Sequence, residues 1–432
     1  MKRAARRIVE KLRLHGHEAF FAGGWVRDSL LRRKSKDIDI ATSALPGEVQ
    51  KLFPKSRAIG AQFGVVQVSM YGRDYEVATF RRDDAYLDGR HPSSVFFCGP
   101  EQDALRRDFT INGLFYDPIA DRIIDYVRGK HDIQNKLIRT IGDPRARFEE
   151  DKLRMLRAIR LSCGLGFRIN PETWSAIREQ ARTILQVSWE RIRDELVTLF
   201  TGPTPDTGLV QLHESGLLAH ILPEVERMRG IPQSPESLPG IDVFTHTGTA
   251  LGMLRHPSIA LAFSTLLHDV GKPSAYSPDE SGRFEEHARL GAHISEEICR
   301  RLRMSNRQIS SIIDLVRAHM DFHDPGEMRM STLKRLLNRE NIADHLELFR
   351  VNCLSNRRSL EAHAAYLKQL AEHRNEPEAT PLLTGRDLIE MGYSPGPAFT
   401  KILRNIEDLQ LEGILRTREE ALQYVEISFP RK

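Results

Sequence analysis

The sequence predicts an α+β protein: a head built on a small mixed sheet, followed by an all-α remainder. Strand alternation and hairpin signals are confined to the stretch ending near residue 127. From about residue 140 nearly every segment repeats its apolar residues at helical spacing. Turn-rich segments at 227–240 and 371–382 then interrupt the helical part. The expected division is a head over 1–140, a helical neck over 141–226, a helical body over 240–370 and a helical tail over 380–432.

In the head, Ile8, Val9, Leu12 and Leu14 mark an opening helix over 4–15, and a strand follows near 19–22. That strand ends in Gly23-Gly24, and a short helix, Trp25–Leu31, comes next. Glycines let the backbone approach a ligand closely, and the free N–H groups of a helix start suit a phosphate. The next strand alternates Asp37, Ile38, Asp39, Ile40. Alternation puts both carboxylates on one face, about 7 Å apart, where they can hold Mg²⁺. Asp-x-Asp alone is common; its coupling to the Gly-Gly turn upstream makes this a candidate metal-plus-triphosphate site. A short helix begins at Leu45-Pro46 and ends near Phe53. Runs Gly64–Met70 and Tyr75–Phe80 read as a hairpin around Tyr71–Asp74. Glu76, on its second strand, is either a third metal ligand or base, or an exposed strand glutamate. Residues 81–103 are polar and turn-rich, the pattern of a long functional loop. At its end Arg107 stands beside Asp108, a candidate cap for a short helix carrying Ile111 and Asn112. Arg122–Val127 is the last strand-like run.

A helix from Arg147 follows, with Leu153, Leu156 and Ile159 as its apolar stripe and Asp151, Arg154, Arg157 and Arg160 spaced by three. Asp151 and Arg154 are close enough to act as one unit, whereas the drift of about 60° per step turns Arg160 away. An Asp–Arg pair can match the hydrogen-bonding edge of a base, and it can equally be an ordinary helix salt bridge. Beyond residue 240 the histidines gather: His246, His268 with Asp269, His287, His293 and His319. This is a candidate helical metal site.

The totals permit several domains in 432 residues, 40% of them apolar. With 63 basic and 59 acidic residues the chain is only mildly basic, which permits nucleic-acid binding through local patches without demanding it. Cys98, Cys163, Cys299 and Cys353 lack zinc or disulfide spacing, and no run of about 18 apolar residues appears. The expectation is a cytoplasmic protein with no membrane partner; the oligomeric state stays open.

Five segments occur in order: Gly-Gly-Trp-Val-Arg-Asp, Asp-Ile-Asp, Arg-Arg-Asp-Phe-Thr-Ile-Asn, Glu-Asp-Lys-Leu-Arg and Glu-Arg-Ile-Arg-Asp-Glu-Leu. In these the chain resembles the bacterial (class II) tRNA nucleotidyltransferases, relatives of the poly(A) polymerases within the DNA polymerase β-like superfamily. The resemblance is dense over residues 15–225. It implies a polymerase β-like head, and addition of C, C and A to the tRNA 3′ end from CTP and ATP without a nucleic-acid template. By position it implies that Asp37 and Asp39 hold Mg²⁺ and that Glu76 is a candidate third catalytic acid. Gly23, Gly24, Arg27, Arg107, Asp108 and Asn112 fall in the nucleotide site, while Asp151 and Arg154, with Arg157 and Arg160 beside them, read the incoming base. Residues 240–360 resemble an HD-type phosphohydrolase domain, which implies a second divalent metal held by His246, His268, Asp269, His287 and His319. Where such domains supply a last aspartate this chain has Asn352, a weaker ligand that puts phosphohydrolase activity in doubt.

Other readings remain in view. A poly(A) polymerase usually carries Arg-Arg-Phe after the Asp-x-Asp strand, whereas Ile59–Val66 looks more like the tRNA enzymes. An A-only tRNA enzyme keeps the long loop and stays open. An HD phosphohydrolase with a degenerate head is disfavoured by the intact head motifs, and a non-catalytic RNA-binding protein would not need both carboxylates.

Overall fold

The computed structural model describes residues 1–430 except 36, 61–63, 84–94, 234–239, 277–285 and 375–379. The tip of the expected 81–103 loop, the middle of Ile59–Val66 and parts of both turn-rich linkers therefore lie outside the described residues. The chain forms two compact units: Met1–Arg227 with Ile298–Met304, and Met228–Glu297 with Ser305–Lys432.

The first unit opens with helix α1 (Lys2–Leu14), which buries Ala5, Ile8, Val9 and Leu12. Leu14, expected on that stripe, is exposed at the helix end. The head sheet uses β1 (Ala19–Ala22), β2 (Asp39–Thr42), β3 (Ser56–Gly60), β4 (Val65–Met70), β5 (Arg73–Thr79), β8 (Leu114–Asp117) and β9 (Arg122–Asp125). Their spatial order is β3-β4-β5-β2-β1-β8-β9. Only β2 and β5 pair in parallel, and they are neighbours at the middle of the sheet. The β4–β5 hairpin turns at Tyr71-Gly72 alone, two residues rather than the four expected. Both have positive φ (51° and 72°), the backbone that matches the twist of a two-residue hairpin. Phe20, Phe80 and Phe115 form the aromatic centre of one sheet face, with centroids about 6 Å apart.

The long polar segment is more ordered at its ends than its composition suggests. Strands β6 (Arg81–Asp83) and β7 (Val95–Phe97) pair, and a helix, Pro100–Leu105, follows. The expected helix from Arg147 is two helices, Pro144–Glu150 and Leu153–Leu165, because the backbone leaves helical geometry at Asp151 (φ −147°, ψ 103°). Helix Leu153–Leu165 packs on Trp189–Phe200, joining Leu156 and Ile159 to a core with Leu196 and Leu199. Strand signals do not stop entirely at residue 127, since Leu137-Ile138 and Arg168-Ile169 form a small parallel bridge.

In the second unit the described regular structure is helical apart from one isolated bridge, Pro232–Asp242. Leu333, Leu346, Phe349 and Tyr366 form one core. The tail helices Gly385–Glu390, Pro397–Leu411 and Arg418–Ser428 close a separate core of Leu388, Ile402, Ile406 and Val425. No helix among the described residues is long and apolar enough to cross a membrane.

Candidate functional site

The expected alternation around the Asp-x-Asp pair is present in burial. Ile38 and Ile40 are 2% and 1% exposed, whereas Asp37 and Asp39 face solvent. Regular strand structure begins only at Asp39, so Asp37 stands just ahead of β2. In the parallel ladder Ile40 lies opposite Val77, which sets Asp39 beside Glu76 on the same open face. Partial desolvation pushes the Asp39 carboxyl above its ordinary value, with repulsion from Glu76 and then Asp37 adding to it; Arg107 opposes both. Among the described residues, three carboxylates facing one arginine leave an excess of negative charge, the donor set and field that suit a hard divalent cation.

The Gly-Gly turn passes beside this group. Gly23 has φ 66°, and a Cβ there would come within 3.3 Å of Arg107 Nη1 and 3.9 Å of Asp39 Oδ2. Arg107 pairs at 2.9 Å with the carboxylate of Asp103, a residue absent from the candidates the sequence offers. The helix Gly24–Leu30 is only seven residues long. Among the described residues, its first-turn N–H groups and the two arginines are donors available to an anion. Arg27 pairs with Asp28 and donates from Nη1 to Asn112 Oδ1 at 2.7 Å. Asn112 in turn donates to Asp108 Oδ1 at 3.1 Å, and Asp108 Oδ2 pairs with Arg157 at 3.0 Å. Burial would raise the Asp108 carboxyl, but Arg157, Asn112 and Arg154 outweigh it and hold the carboxyl below its ordinary value. Glu195, on helix Trp189–Phe200, joins Arg157 (3.9 Å) and Arg160 of helix Leu153–Leu165.

The side chains of Asp151 and Arg154 do not pair with each other; the two are joined through the backbone, where the Arg154 N–H donates to the Asp151 carbonyl at 3.1 Å. Asp151 accepts from the Leu153 N–H at 3.1 Å and pairs with Arg191 at 2.8 Å. Arg154 is buried, pairs with Glu150 at 2.6 Å and donates to the Arg147 carbonyl at 3.0 Å. The break at Asp151 is what separates their partners. Arg191 lies 40 residues further on, a distance at which sequence spacing carries no pairing signal.

The second unit gathers His246, His268, Asp269, His287 and His319 into one buried cluster. Nε2 of His246 and His268 are 3.2 Å apart, as are those of His287 and His319. Asp269 lies between the pairs: Oδ2 is 3.2 Å from His268 and Oδ1 is 3.5 Å from His287. Nδ1 of His268 and of His319 each contact a carbonyl of the preceding turn (2.8 and 2.7 Å), which turns Nε2 inward as a metal ligand requires. Gly271 makes the assembly possible, since a Cβ there would stand 2.1 Å from the His287 carbonyl. Lys272 (2.8 Å) and Gln233 (3.0 Å) also bind Asp269 Oδ2, and sequence spacing assigned neither to the cluster. Burial raises the Asp269 carboxyl, but His268 and Lys272 more than offset it, so it stays ionised well below the usual range. Burial, and then His268, depress His246 to about 3. Asn352 lies beside His246. His293 is not in the cluster; it is exposed, 3.6 Å from Glu297.

A carboxylate-bearing mixed sheet and a buried His–Asp helical cluster are the two features that a nucleotidyltransferase joined to an HD domain requires, and the chain matches both families. Residues 19–139 match the poly A polymerase head domain, 166–228 the probable RNA and SrmB-binding site of polymerase A, and 243–348 the HD domain. The CCA-adding enzyme of Anoxybacillus flavithermus is 32% identical over 427 residues, 98% of this chain and 96% of that protein. The chain belongs to the CCA-adding enzyme family. The CCA-adding enzyme of Geobacillus sp. is 47% identical over 215 residues, 50% of this chain and 53% of that protein, so that match spans about half of each. The crystal structure of the Bacillus stearothermophilus CCA-adding enzyme in complex with CTP superposes with a TM-score of 0.77 at 28% identity, covering 99% of this chain and 97% of that one. Nucleotidyltransferase heads and HD domains are metal-dependent, and the described residues include groups able to hold an ion.

Proposed function

We propose that this protein adds C, C and then A to the 3′ end of tRNA, taking CTP and ATP and releasing pyrophosphate. The observation that carries the reading is the group of three carboxylates Asp37, Asp39 and Glu76 beside the inward arginine Arg107, within a chain related over 98% of its length to a CCA-adding enzyme. On this reading 1–140 is the catalytic head, 141–226 the neck that selects the nucleotide and binds RNA, 240–370 the HD-like body and 380–432 the tail, all working in the cytoplasm.

Asp37 and Asp39 would hold Mg²⁺, which supplies charge neutralisation at the phosphates and lowers the pKa of a bound hydroxyl. Arg27 and Arg107 grip the triphosphate, and the bare Gly23-Gly24 backbone lets it come close. The tRNA 3′-oxygen attacks the α-phosphorus, the bond from that phosphorus to the bridging oxygen breaks, and pyrophosphate leaves. Glu76 is the nearby carboxylate able to take the hydroxyl proton or serve as a third metal ligand. Asp151 and Arg154 read the base: an acceptor and a forked donor match the edge of cytosine in one setting and of adenine in another. Their present partners, Arg191 and Glu150, fix where each side chain starts from.

The test uses tRNAs ending before CCA, after C and after CC, with labelled CTP and ATP. Incorporation of two C and one A on the first substrate is expected. Addition of A to the CC-ended tRNA alone would make the protein an A-adding enzyme, and an unbounded A tract would make it a poly(A) polymerase. The buried histidine cluster supports a second divalent ion in the HD-like body, checked by metal analysis of protein purified with and without His268→Ala.

A further inference from the structure

Asp103 is a fully buried carboxylate, 1% exposed, on the helix Pro100–Leu105 that leads into Arg106-Arg107. Its Oδ1 accepts from Arg106 Nε at 2.9 Å and from the backbone N–H of Arg81, at the base of β6, at 3.3 Å. Its Oδ2 accepts from Arg107 at both Nε (3.2 Å) and Nη2 (2.9 Å). With those two nitrogens committed and the guanidinium 5.0 Å from the centre of the Phe115 ring, the plane of Arg107 is set. Its remaining nitrogen, Nη1, is the one that lies against the Gly23 turn, 3.5 Å from the Asn112 carbonyl.

This arrangement addresses a specific problem. Arg107 stands beside three carboxylates that a cation is to occupy. A flexible arginine there would fold onto Asp39 and replace the metal, because charge-assisted pairs are strong wherever water is partly excluded. A buried aspartate behind it offers a competing partner that turns the guanidinium through Nε and Nη2, so that Nη1, which gives one N–H to the Asn112 carbonyl, keeps its other N–H for the site.

We infer that Asp103 is a positioning residue for nucleotide binding: it aims Arg107 Nη1 at the triphosphate and keeps this arginine off the metal-binding carboxylates. The inference rests on the reading of Arg107 as a triphosphate contact. Because the triphosphate is common to both substrates, loss of Asp103 must affect CTP and ATP alike, and it must raise the Mg²⁺ concentration needed for half-maximal rate.

The experiment compares wild type, D103N, R107A and the double variant. Its readouts are equilibrium titration of CTP and ATP without tRNA, KM for tRNA, and the Mg²⁺ midpoint. D103N is expected to weaken both nucleotides by about ten-fold and by the same factor, as loss of a charged hydrogen-bond partner does. The tRNA KM should stay within about two-fold, and D103N should add almost nothing to R107A, as expected when one residue acts only through the other. R107A weak but D103N normal overturns the inference while leaving the triphosphate reading intact. Normal binding in both overturns the triphosphate reading itself. A D103N loss shared equally by tRNA and nucleotides marks a merely structural residue and also overturns the inference. Should D103N fail to fold, Asp103→Glu is measured in its place; weaker nucleotide binding with an unchanged tRNA KM is then required, and wild-type nucleotide binding overturns the inference.

Discussion

The molecule holds two groups of metal-type ligands that solve the same electrostatic problem in opposite ways. In the head, Asp37, Asp39 and Glu76 face solvent, and the arginine beside them, Arg107, is paired with another acid, Asp103. In the helical unit, Asp269 and its histidines are buried, and Lys272 provides an internal counter-charge at 2.8 Å. On the proposed function the head site admits a nucleotide and an RNA end on each cycle, and its ligands have to stay open to solvent. A site enclosed by helices has to balance its charge internally, because burying an unpaired carboxylate is costly. Openness, more than ligand type, distinguishes the two groups.

The contrast can be broken at several points. The largest effect is expected from Asp39→Ala, which should reduce CTP incorporation by about a thousand-fold or more while leaving tRNA binding near wild type. His268→Ala should leave incorporation within about two-fold, since its ligand group lies in the other unit; a comparable loss from both would dissolve the distinction.

Acid should separate the units next. His246 is depressed from 6.5 to about 3 in the folded protein, so the folded state disfavours its protonation. Its stabilising share is complete above pH 6.5 and is lost as pH falls toward 3, at up to about 1.4 kcal/mol per pH unit. Asp103 and Asp108 of the head are held below 3.8, so their share fades only below that value. All three tryptophans, Trp25, Trp174 and Trp189, belong to the first unit. In metal-free protein, helical circular dichroism should therefore fall at a higher pH than tryptophan fluorescence changes; coincident transitions would contradict the contrast.

Asp151→Ala should relax the choice among the four nucleotides and cost about 1 kcal/mol of stability through the lost cap, read by single-nucleotide incorporation and thermal melting. Unchanged selectivity would move base reading elsewhere. The smallest effect is a gain. Asp39→Asn relieves repulsion among the head carboxylates and should raise the metal-free melting temperature by roughly 1–2 °C, a modest shift because solvent screens the exposed group. Mg²⁺ should then stabilise the wild type more than the variant.

Much of this was legible in the residues, for identifiable reasons. Alternation around Ile38 and Ile40 exposed the Asp-x-Asp face, and the loss of alternation near residue 127 marked the end of the head sheet. The histidine cluster was legible because ligand types are rare and were close in sequence, although His293 has the same composition signal and stands apart. What was hidden were partners. Asp103 sits three and four residues before Arg106 and Arg107, a spacing that could have revealed it. Arg191 and Gln233 pair across gaps that no local period encodes. The break at Asp151 was masked because every residue around it favours a helix, and tertiary pairing overrode that preference.

That break has a further consequence. The residue proposed to read the base is also the residue whose side chain caps the helix behind it, through the Leu153 N–H. A replacement that made nucleotide choice careless would leave the helix start unsatisfied and the protein less stable. Fidelity and foldability are therefore inherited together at this position, and a chain that misreads here is also one that cellular quality control removes more readily.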